Sequence, residues 1–341
     1  MSRRDRPKQL IDLKGTGSMI ALTCDRLRSL SSPGEILVVT VGEQREAIER
    51  ELAGRVPSEN VFCEPVGRNT AASVGISAVL IGNRFGDAPF LVVPADQLVG
   101  DGEAFAAAAR VAEAYVKTHD CLLTFGIPPS RPDTGYGYIR TGDPAPGSAG
   151  EAIFEAVSFH EKPPLETARR YIGAGNYLWN SGMFMWRPSV IRRSIAAHLP
   201  ALEEVLRRIG ERLGTEPVDN VLKSLYPDAP AISIDYGVME KADGVVVVRG
   251  DFDWNDVGSW ESLREVYPED SDGNVFVGEH VAVDSTGNTV FSPARLVGLV
   301  GVKNVVVVDG GDAILVCARE DVQKVRHIVE ALKKSGKDHL V

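Results

Sequence analysis

Apolar and polar positions alternate in two rhythms along the first 130 residues. Short, mostly apolar runs rich in Val, Leu and Phe occur at 35–40 (EILVVT), 60–64 (NVFCE), 90–94 (FLVVP) and 121–126 (CLLTFG). Between them, 17–30, 44–54, 70–84 and 103–118 repeat apolar residues at helical spacing. A short strand without a polar face must be covered on both sides, so the alternation predicts a mostly parallel sheet sandwiched by helices. Such sheets bind ligands beyond the C-terminal ends of their strands. The polar motifs Glu64-Pro65, Pro94-Ala95-Asp96 and Gly126-Ile127-Pro128 all follow strands in this way.

The rhythm changes near residue 151. FEAVSFHEKP reads as a strand ending in a charged loop, 164–174 as a helix, and 188–226 as amphipathic helix able to cover a sheet. SIDYGVMEKA and GVVVVRGDFDWND then return to sheet, and a helix starts near Trp260. Residues 274–318 read as short β segments separated by turns such as DSTGN and VDGGD, and DVQKVRHIVEALKKSG closes the chain as an amphipathic helix. A boundary is expected in PEDSDG, at 268–273, dividing the chain into domains 1–268 and 269–341.

Composition removes several function classes. At 44% hydrophobic and 25% charged residues the chain is an ordinary soluble globular protein. It lacks an apolar run of the roughly 20 residues needed for a membrane span and an apolar signal-peptide core, so a cytoplasmic location and no membrane partner are expected. A formal net charge of −10 argues against a nucleic-acid partner. Cys24, Cys63, Cys121 and Cys317 are far apart and read as buried thiols in a reducing compartment, and the six histidines form no HxxxH or HExxH. No Gly-x-Ser-x-Gly occurs, so a nucleophilic hydrolase has no support.

All four tryptophans lie in two segments that begin Trp-Asn, at 179–186 and 254–260. Each sets rings beside an amide or carboxylate and a glycine, a combination that walls and orients a ligand. Core packing explains either segment alone; the pair favours a cleft. Asp96 is placed to hold a metal ion over the sheet, or simply to cap a helix. Asp256, enclosed by Trp residues, can join it, since two carboxylates are the usual protein share of a Mg²⁺ site completed by phosphates and water. Glu161-Lys162-Pro163 can offer an acceptor to sugar hydroxyls and a point charge to a phosphate, or form a surface ion pair. Gly67-Arg68-Asn69-Thr70 precedes a helix whose N-terminus can face an anion, with Asn69 or Thr70 as cap. Gly135-Tyr136-Gly137-Tyr138 leaves backbone room beside two rings, or marks a hairpin.

Taken in order, these motifs resemble the bacterial mannose-1-phosphate guanylyltransferases (GDP-mannose pyrophosphorylases). The matching pieces are RPKQLIDL (6–13), SMIALTCDRL (18–27), EPVGRNTAA (64–72), VVPADQLVGD (92–101), GIPPSRPDTGYGYI (126–139), FHEKP (159–163), YLWNSGMFMW (177–186), SIDYGVMEK (233–241) and DFDWNDVGSW (251–260). Nine ordered blocks across the chain are far more specific than any one motif. The resemblance implies a Rossmann-like α/β nucleotidyltransferase domain with a mixed, mostly parallel sheet, followed by a small β-rich tail like a short left-handed β-helix. It implies transfer of GMP from GTP to mannose 1-phosphate, giving GDP-mannose and pyrophosphate.

Residue by residue, Asp96 and Asp256 resemble the family's metal-binding pair, and Mg²⁺ is the implied cofactor. Lys162 resembles the lysine that holds the sugar phosphate, and Lys8 the one that reaches the phosphates at transfer. Glu161 and Asn180 resemble the groups that read the mannose hydroxyls, with Gly135 and Tyr136 in the loop beside the sugar. Arg68, Asn69 and Thr70 lie where the family shapes its nucleotide pocket. GTP and mannose 1-phosphate are the implied partners, and the resemblance allows a homodimer. Two alternatives stay open: a non-catalytic nucleotide-sugar-binding regulatory protein, and a nucleotidyltransferase for another sugar phosphate or base.

Two departures stand out: Gln97 where the family usually has His, and Asp253 where Gly is usual. A third is larger. The family's first strand and its loop of the form GGxGTRLxPLSR, whose amides grip a triphosphate, have no counterpart; Met1-Ser2-Arg3 matches only the end of that motif. The resemblance implies that Met1 is an internal methionine and that roughly 20 residues of strand and loop precede it. Loss of a parallel strand leaves backbone groups unpaired and a groove in the sheet. The chain as written is therefore expected to be unstable or inactive, with turnover restored by an upstream extension; equal GTP-dependent turnover by both forms would contradict this.

Overall fold

The computed structural model describes residues 7–148, 152–258, 260–337 and 340. Met1–Arg6, the end of the phosphate-loop motif, and Ser259 lie outside the described residues. Two compact units form. The larger holds Asp12–Ala95 and Val99–Trp254, and the smaller gathers residues up to Ile11, Asp96–Leu98 and those from Asn255 onward.

In the larger unit β1 (Val38–Val41) and β2 (Val61–Glu64) make a parallel pair. After β3 (Phe90–Val92), the two-residue β4 (Leu98–Val99) leads to β5 (Leu122–Ile127), β6 (Tyr138–Pro144), β7 (Ile153–His160), β8 (Tyr177–Trp186) and β9 (Val245–Arg249). A six-stranded sheet runs in the order β3-β8-β5-β9-β7-β6. It is mixed, as expected, but not mostly parallel: β5–β9 is parallel, whereas β3–β8, β5–β8, β7–β9 and β6–β7 are antiparallel. Apolar runs alternating with helices indicate burial of a strand but not its direction. The long β8 lies between β3 and β5 against the direction of both.

The helices are α1 (Met19–Leu27), α2 (Arg45–Glu51), α3 (Asn69–Phe85), α4 (Gly102–Thr118), α5 (Leu165–Ala174), α6 (Pro188–His198), α7 (Pro200–Arg212) and α8 (Val218–Leu225). Ser18 caps α1 by accepting from the Ala21 amide, and Asp101 caps α4 through the Ala104 amide. The expected helical stretch 188–226 is three helices, because Pro200 and Pro217 each supply a start and forbid continuation.

Neighbouring residues of one strand enter different cores. Leu122, Phe184, Trp186 and Val245 pack with α3, α6, α7 and α8, while Leu123, Phe125, Met185, Val246 and Val248 pack with α4. That is the period-two division of side chains across a sheet covered on both faces. Each fully buried Leu or Ile contributes about 1.5–3 kcal/mol, so tertiary burial rather than intrinsic propensity holds these helices. Burial pushes the thiols of Cys24 and Cys121 up to about 11, whereas Cys63 and Cys317 are only partly buried. All four are free thiols. Among the described residues no helix is long and apolar enough to cross a membrane.

SIDYGVMEK does not return to the sheet. Asp235–Met239 is a π-helical turn, tied down by the Ile234 amide bonding Thr70 Oγ1 and the Gly237 amide bonding the Ser233 carbonyl.

The smaller unit contains part of β10 (Trp254–Asn255), then α9 (Leu263–Val266), β11 (Val275–Val277), β12 (His280–Val283), β13 (Thr289–Phe291), β14 (Val297–Val300), β15 (Val305–Asp309), β16 (Ile314–Ala318) and α10 (Val325–Lys334). β11, β13 and β15 form one parallel ladder and β12 with β14 another, so successive strands coil between the two. Asn274 and Asn288 are buried in its turns, bonded to each other at 2.9 Å and to the carbonyls of Ser285 and Val302. Such turn carbonyls would otherwise be buried without donors.

A groove of about 780 Å³ runs within the larger unit between Leu37, Val38 and Val39 on one side and Phe90, Leu91 and Val92 on the other. Among the described residues β1 pairs only with β2, and β3 only with β8.

Gly126 sits opposite Asn180, where the β5–β8 register shifts. A Cβ there would lie 2.7 Å from both Leu178 Cδ1 and Val247 Cγ2. Gly126→Ala is expected to cost about 1–3 kcal/mol and lower Tm by about 2–12 °C, read by calorimetry; an unchanged Tm would show that the strands can part freely here.

Candidate active site

The bulge between Thr124 and Gly126 turns the middle of β8 out of regular register. Ser181 holds that bulge, its hydroxyl donating to the Phe125 carbonyl at 2.7 Å and accepting from the Met183 amide at 3.1 Å. Asn180 is thereby fixed by its backbone and its side chain. Its amide N–H donates to the Gly137 carbonyl at 2.8 Å, and Nδ2 donates to Asp235 Oδ1 at 2.7 Å. Glu161 joins the same cluster: a Cβ at Gly137 would lie 2.6 Å from its Oε2 and 3.4 Å from Asn180 Cβ. A side chain at Gly137 would therefore displace the Glu161 carboxylate from its place beside Asn180.

Lys162 pairs with Glu161 at 3.3 Å and keeps a side chain 63% exposed, available to an incoming anion. Burial pushes the Asp235 carboxyl up; the Asn180 hydrogen bond opposes this, and the charge of Glu161 adds to it. The Glu240 carboxyl is also raised, by desolvation and then by Glu161 and Asp235. Three carboxylates with Lys162 and Lys241 nearby make a strongly accepting site, suited to a ligand rich in hydroxyl donors.

Tyr136 forms a pillar. Its ring meets Trp179 edge-on at 5.0 Å and Trp254 at 5.1 Å, and the Arg131 guanidinium lies over both Tyr136 and Trp179. Arg131 is held by Asp133 at 2.8 Å, and Asp133 also accepts from the Gly135 amide. The ring of Tyr136 is buried, so it supports the wall of the site, while Gly135 is exposed. A tyrosine between two glycines looks like a surface turn in sequence; the two tryptophans that bury it are 43 and 118 residues away, as the numbers 136, 179 and 254 show. The two Trp-Asn segments also part company. Asn255 is structural, donating to Glu265 and accepting from the Val257 amide.

In the smaller unit the 3₁₀ turn Lys8–Leu10 presents Lys8, whose Nζ lies 3.1 Å from Asp96 Oδ2 and donates to the Asp256 carbonyl. Asp256 Oδ1 accepts from the Gly258 amide at 2.6 Å, an approach a Cβ at Gly258 would obstruct at 2.8 Å. Nucleotidyl transferases generally use a divalent metal. Asp96, 44% exposed, and Asp256 are hard oxygen donors of the kind that suit such an ion. Among the described residues no group of three or more His, Cys, Asp or Glu could hold a metal. A two-carboxylate share completed by phosphate oxygens is the arrangement that fits.

Arg68, Asn69 and Thr70 are occupied differently from expectation. Arg68 donates to the Pro227 carbonyl, and it caps α3 with no side-chain bond. The Thr70 amide bonds Asn69 Oδ1, the Ala71 amide bonds the Ile232 carbonyl, and Thr70 Oγ1 accepts from Ile234. Two first-turn amides of α3 are therefore taken by the protein, so this end is not the open anion site that the sequence suggested. Instead it anchors the segment leading to Asp235, a residue sequence reasoning did not single out. A lone carboxylate between Ile234 and the buried Val238 and Met239 was the available signal.

Six non-glycine residues among those described have positive φ, and four lie in the candidate motifs: Asn69 (63°), Lys162 (45°), Asp253 (52°) and Val257 (49°). Left-handed backbone costs about 1–3 kcal/mol, and such strain collects at functional sites. Asp253 occupies a conformation that glycine adopts without cost, which accounts for the glycine usual at this place in the family it resembles.

Residues 1–273 match the family model of nucleotidyl transferases, and residues 278–332 that of the MannoseP isomerase/GMP-like beta-helix domain. The chain is 38% identical over 339 residues to the xanthan biosynthesis protein XanB of Xanthomonas campestris pv. campestris (strain B100), covering 99% of this chain and 71% of that protein. It is 37% identical over 345 residues to the mannose-1-phosphate guanylyltransferase ManC of Salmonella typhimurium (strain LT2), with the same two coverages, 99% and 71%. A crystal structure described as mannose-1-phosphate geranyltransferase from Thermus thermophilus aligns with a TM-score of 0.85 and 36% identity, over 97% of this chain and 94% of that one. The expected nucleotidyltransferase fold with a β-helix-like tail agrees with these matches.

Tyr136→Ala is expected to cost about 3–5 kcal/mol of stability by emptying the space between two tryptophans. Tyr136→Phe should keep both the melting temperature and ligand affinity close to those of the parent. Intact folding with a large loss of affinity in the phenylalanine variant would instead make the hydroxyl a ligand contact.

Proposed function

The chain belongs to the nucleotidyl transferase family, and on that premise we propose that it is a Mg²⁺-dependent mannose-1-phosphate guanylyltransferase. The reaction joins GTP and mannose 1-phosphate, giving GDP-mannose and pyrophosphate. The observation that carries this reading is Lys8, which binds the Asp96 carboxylate and the Asp256 main chain at once. Three segments dispersed along the chain meet at this ammonium, and a lysine beside aspartates supports phosphoryl chemistry rather than a nucleophilic enzyme. The choice of mannose and guanine follows relatives such as the guanylyltransferase ManC.

A phosphate oxygen of mannose 1-phosphate attacks the α-phosphorus of GTP in line. One P–O bond forms, the bond to the β-phosphate oxygen breaks, and pyrophosphate leaves with that electron pair. The attacking phosphate is already an anion, so no protein base is needed; the protein supplies position and charge. Asp96 and Asp256 would hold Mg²⁺, which supplies charge neutralisation at the phosphates when bound. Lys8 contributes a second cation, and its bond to Asp96 is the one it exchanges for phosphate oxygen. Lys162 takes the sugar phosphate as a point charge, and Glu161 with Asn180 reads the sugar hydroxyls.

The test is pyrophosphate release from four nucleoside triphosphates against several sugar 1-phosphates, with and without Mg²⁺. Release should need GTP, mannose 1-phosphate and the metal together, and chelation should abolish it. Asp96→Asn and Asp256→Asn should each lower kcat/KM by about 100-fold or more. Binding of the substrates without turnover, by this chain and equally by a form extended upstream, would show a regulatory protein, and preference for another pair would reassign the substrates.

A further inference from the structure

Asn180 carries a problem that its role in sugar recognition must solve. A side-chain amide has two ends of similar size and opposite hydrogen-bonding sense, so a flip converts a donor into an acceptor. Recognition of a particular hydroxyl requires that one orientation prevail.

The neighbours of Asn180 differ in what they can decide. The Thr124 hydroxyl lies 3.2 Å from Asn180 Oδ1 and 3.1 Å from the Met183 carbonyl. Its single proton serves one of them, and its oxygen can accept as well, so Thr124 tolerates either orientation. The Gly182 amide is a donor only, 3.3 Å from Oδ1, and it favours oxygen there. Asp235 acts from the other end. An ionised carboxylate only accepts, so its 2.7 Å contact demands nitrogen from Asn180.

We propose that Asp235 is the positioning residue that locks the Asn180 amide, leaving the second N–H of Nδ2 for a sugar hydroxyl that also donates to Glu161. This rests on the functional reading above and names how its sugar end discriminates. Among the described residues Nδ2 has Asp235 as its one side-chain partner. Gly137 lies against both Glu161 Oε2 and the Asn180 side chain, so the acceptor and the residue that carries the donor border the same backbone. One fixed donor and one fixed acceptor are satisfied by a hydroxyl at one place on a sugar ring. The epimer leaves them unpaired, which costs more than a lost methylene contact does.

The charged groups around Asp235 are Glu161 and Lys162 after β7 and, at the end of its own turn, Glu240 with Lys241 beside it. Burial and Glu161 raise its pKa, so acid protonates it earlier than an ordinary aspartate. A protonated carboxyl can donate as well as accept, and the demand on Asn180 lapses. The preference between two sugars that share the same phosphate should then fall as pH is lowered through the raised pKa, and stay level above it.

The experiment measures dissociation constants of the whole chain by calorimetry for mannose 1-phosphate, its 2-epimer glucose 1-phosphate, and GTP. In Asp235→Asn, whose amide can present either end to Asn180, mannose 1-phosphate should bind about 10-fold more weakly, the loss of one directed hydrogen bond. The mannose-to-glucose preference should collapse towards one and no longer change with pH, and GTP affinity should stay within about 2-fold. Asp235→Ala, which removes the acceptor altogether, should give the same collapse. A structural role alone would weaken both sugars and GTP in proportion and leave the preference intact, which would overturn the assignment. So would a parent that discriminates between the sugars beside an Asp235→Asn form with an unaltered ratio. A parent that discriminates between no sugar 1-phosphates overturns the functional reading, and the assignment with it.

Discussion

The antiparallel pairing of β8 with β5 is the contact on which the larger unit depends. Its regular half sends Phe184 and Trp186 into one core and Met183 and Met185 into the other, binding the two helical layers to one strand. Its irregular half, between Thr124 and Gly126, gives up regular pairing to aim Asn180. A fully regular ladder would have been more stable locally and would have buried or exposed Asn180 with the rest of its face. Gly126 makes the compromise feasible, because any side chain there would strike Leu178 and Val247.

Around Asn180 the chemistry is set by an imbalance of charge. Glu161, Asp235 and Glu240 gather near Lys162 and Lys241, and the charge of Glu161 makes ionisation of both Asp235 and Glu240 costlier. Such a cluster has no purpose in stability, since it destabilises the protein in the absence of donors. A ring of hydroxyl groups relieves it.

Sequence pattern made the covered strands and most helices legible. β1, β2, β3 and β5 lie within two or three residues of their expected places, and α3 and α4 within one. Strand direction was not legible, because burial on both faces leaves the same apolar run whichever way the chain goes. Nor was the turn at Asp235–Met239, whose entry at Ile234 is fixed by Thr70, 164 positions upstream, rather than by any local signal. Asn180, Glu161 and Lys162 were recognisable as polar residues beside rings and turns, and Lys8, Asp96 and Asp256 through their resemblance to a known family. Tyr136 misled because its burial comes from two distant tryptophans, and Arg68 and Thr70 because the partners that occupy them are equally remote.

Lys8 and Asp256 are separated by 248 positions. At about 5–20 residues per second, roughly 10–50 s pass on the ribosome between the appearance of that ammonium and that of the carbonyl it will bind. Every residue of the Asn180 cluster, through Glu240, is synthesised within that interval. The growing protein therefore holds all the residues of that cluster before the contact between Lys8 and Asp256 can form.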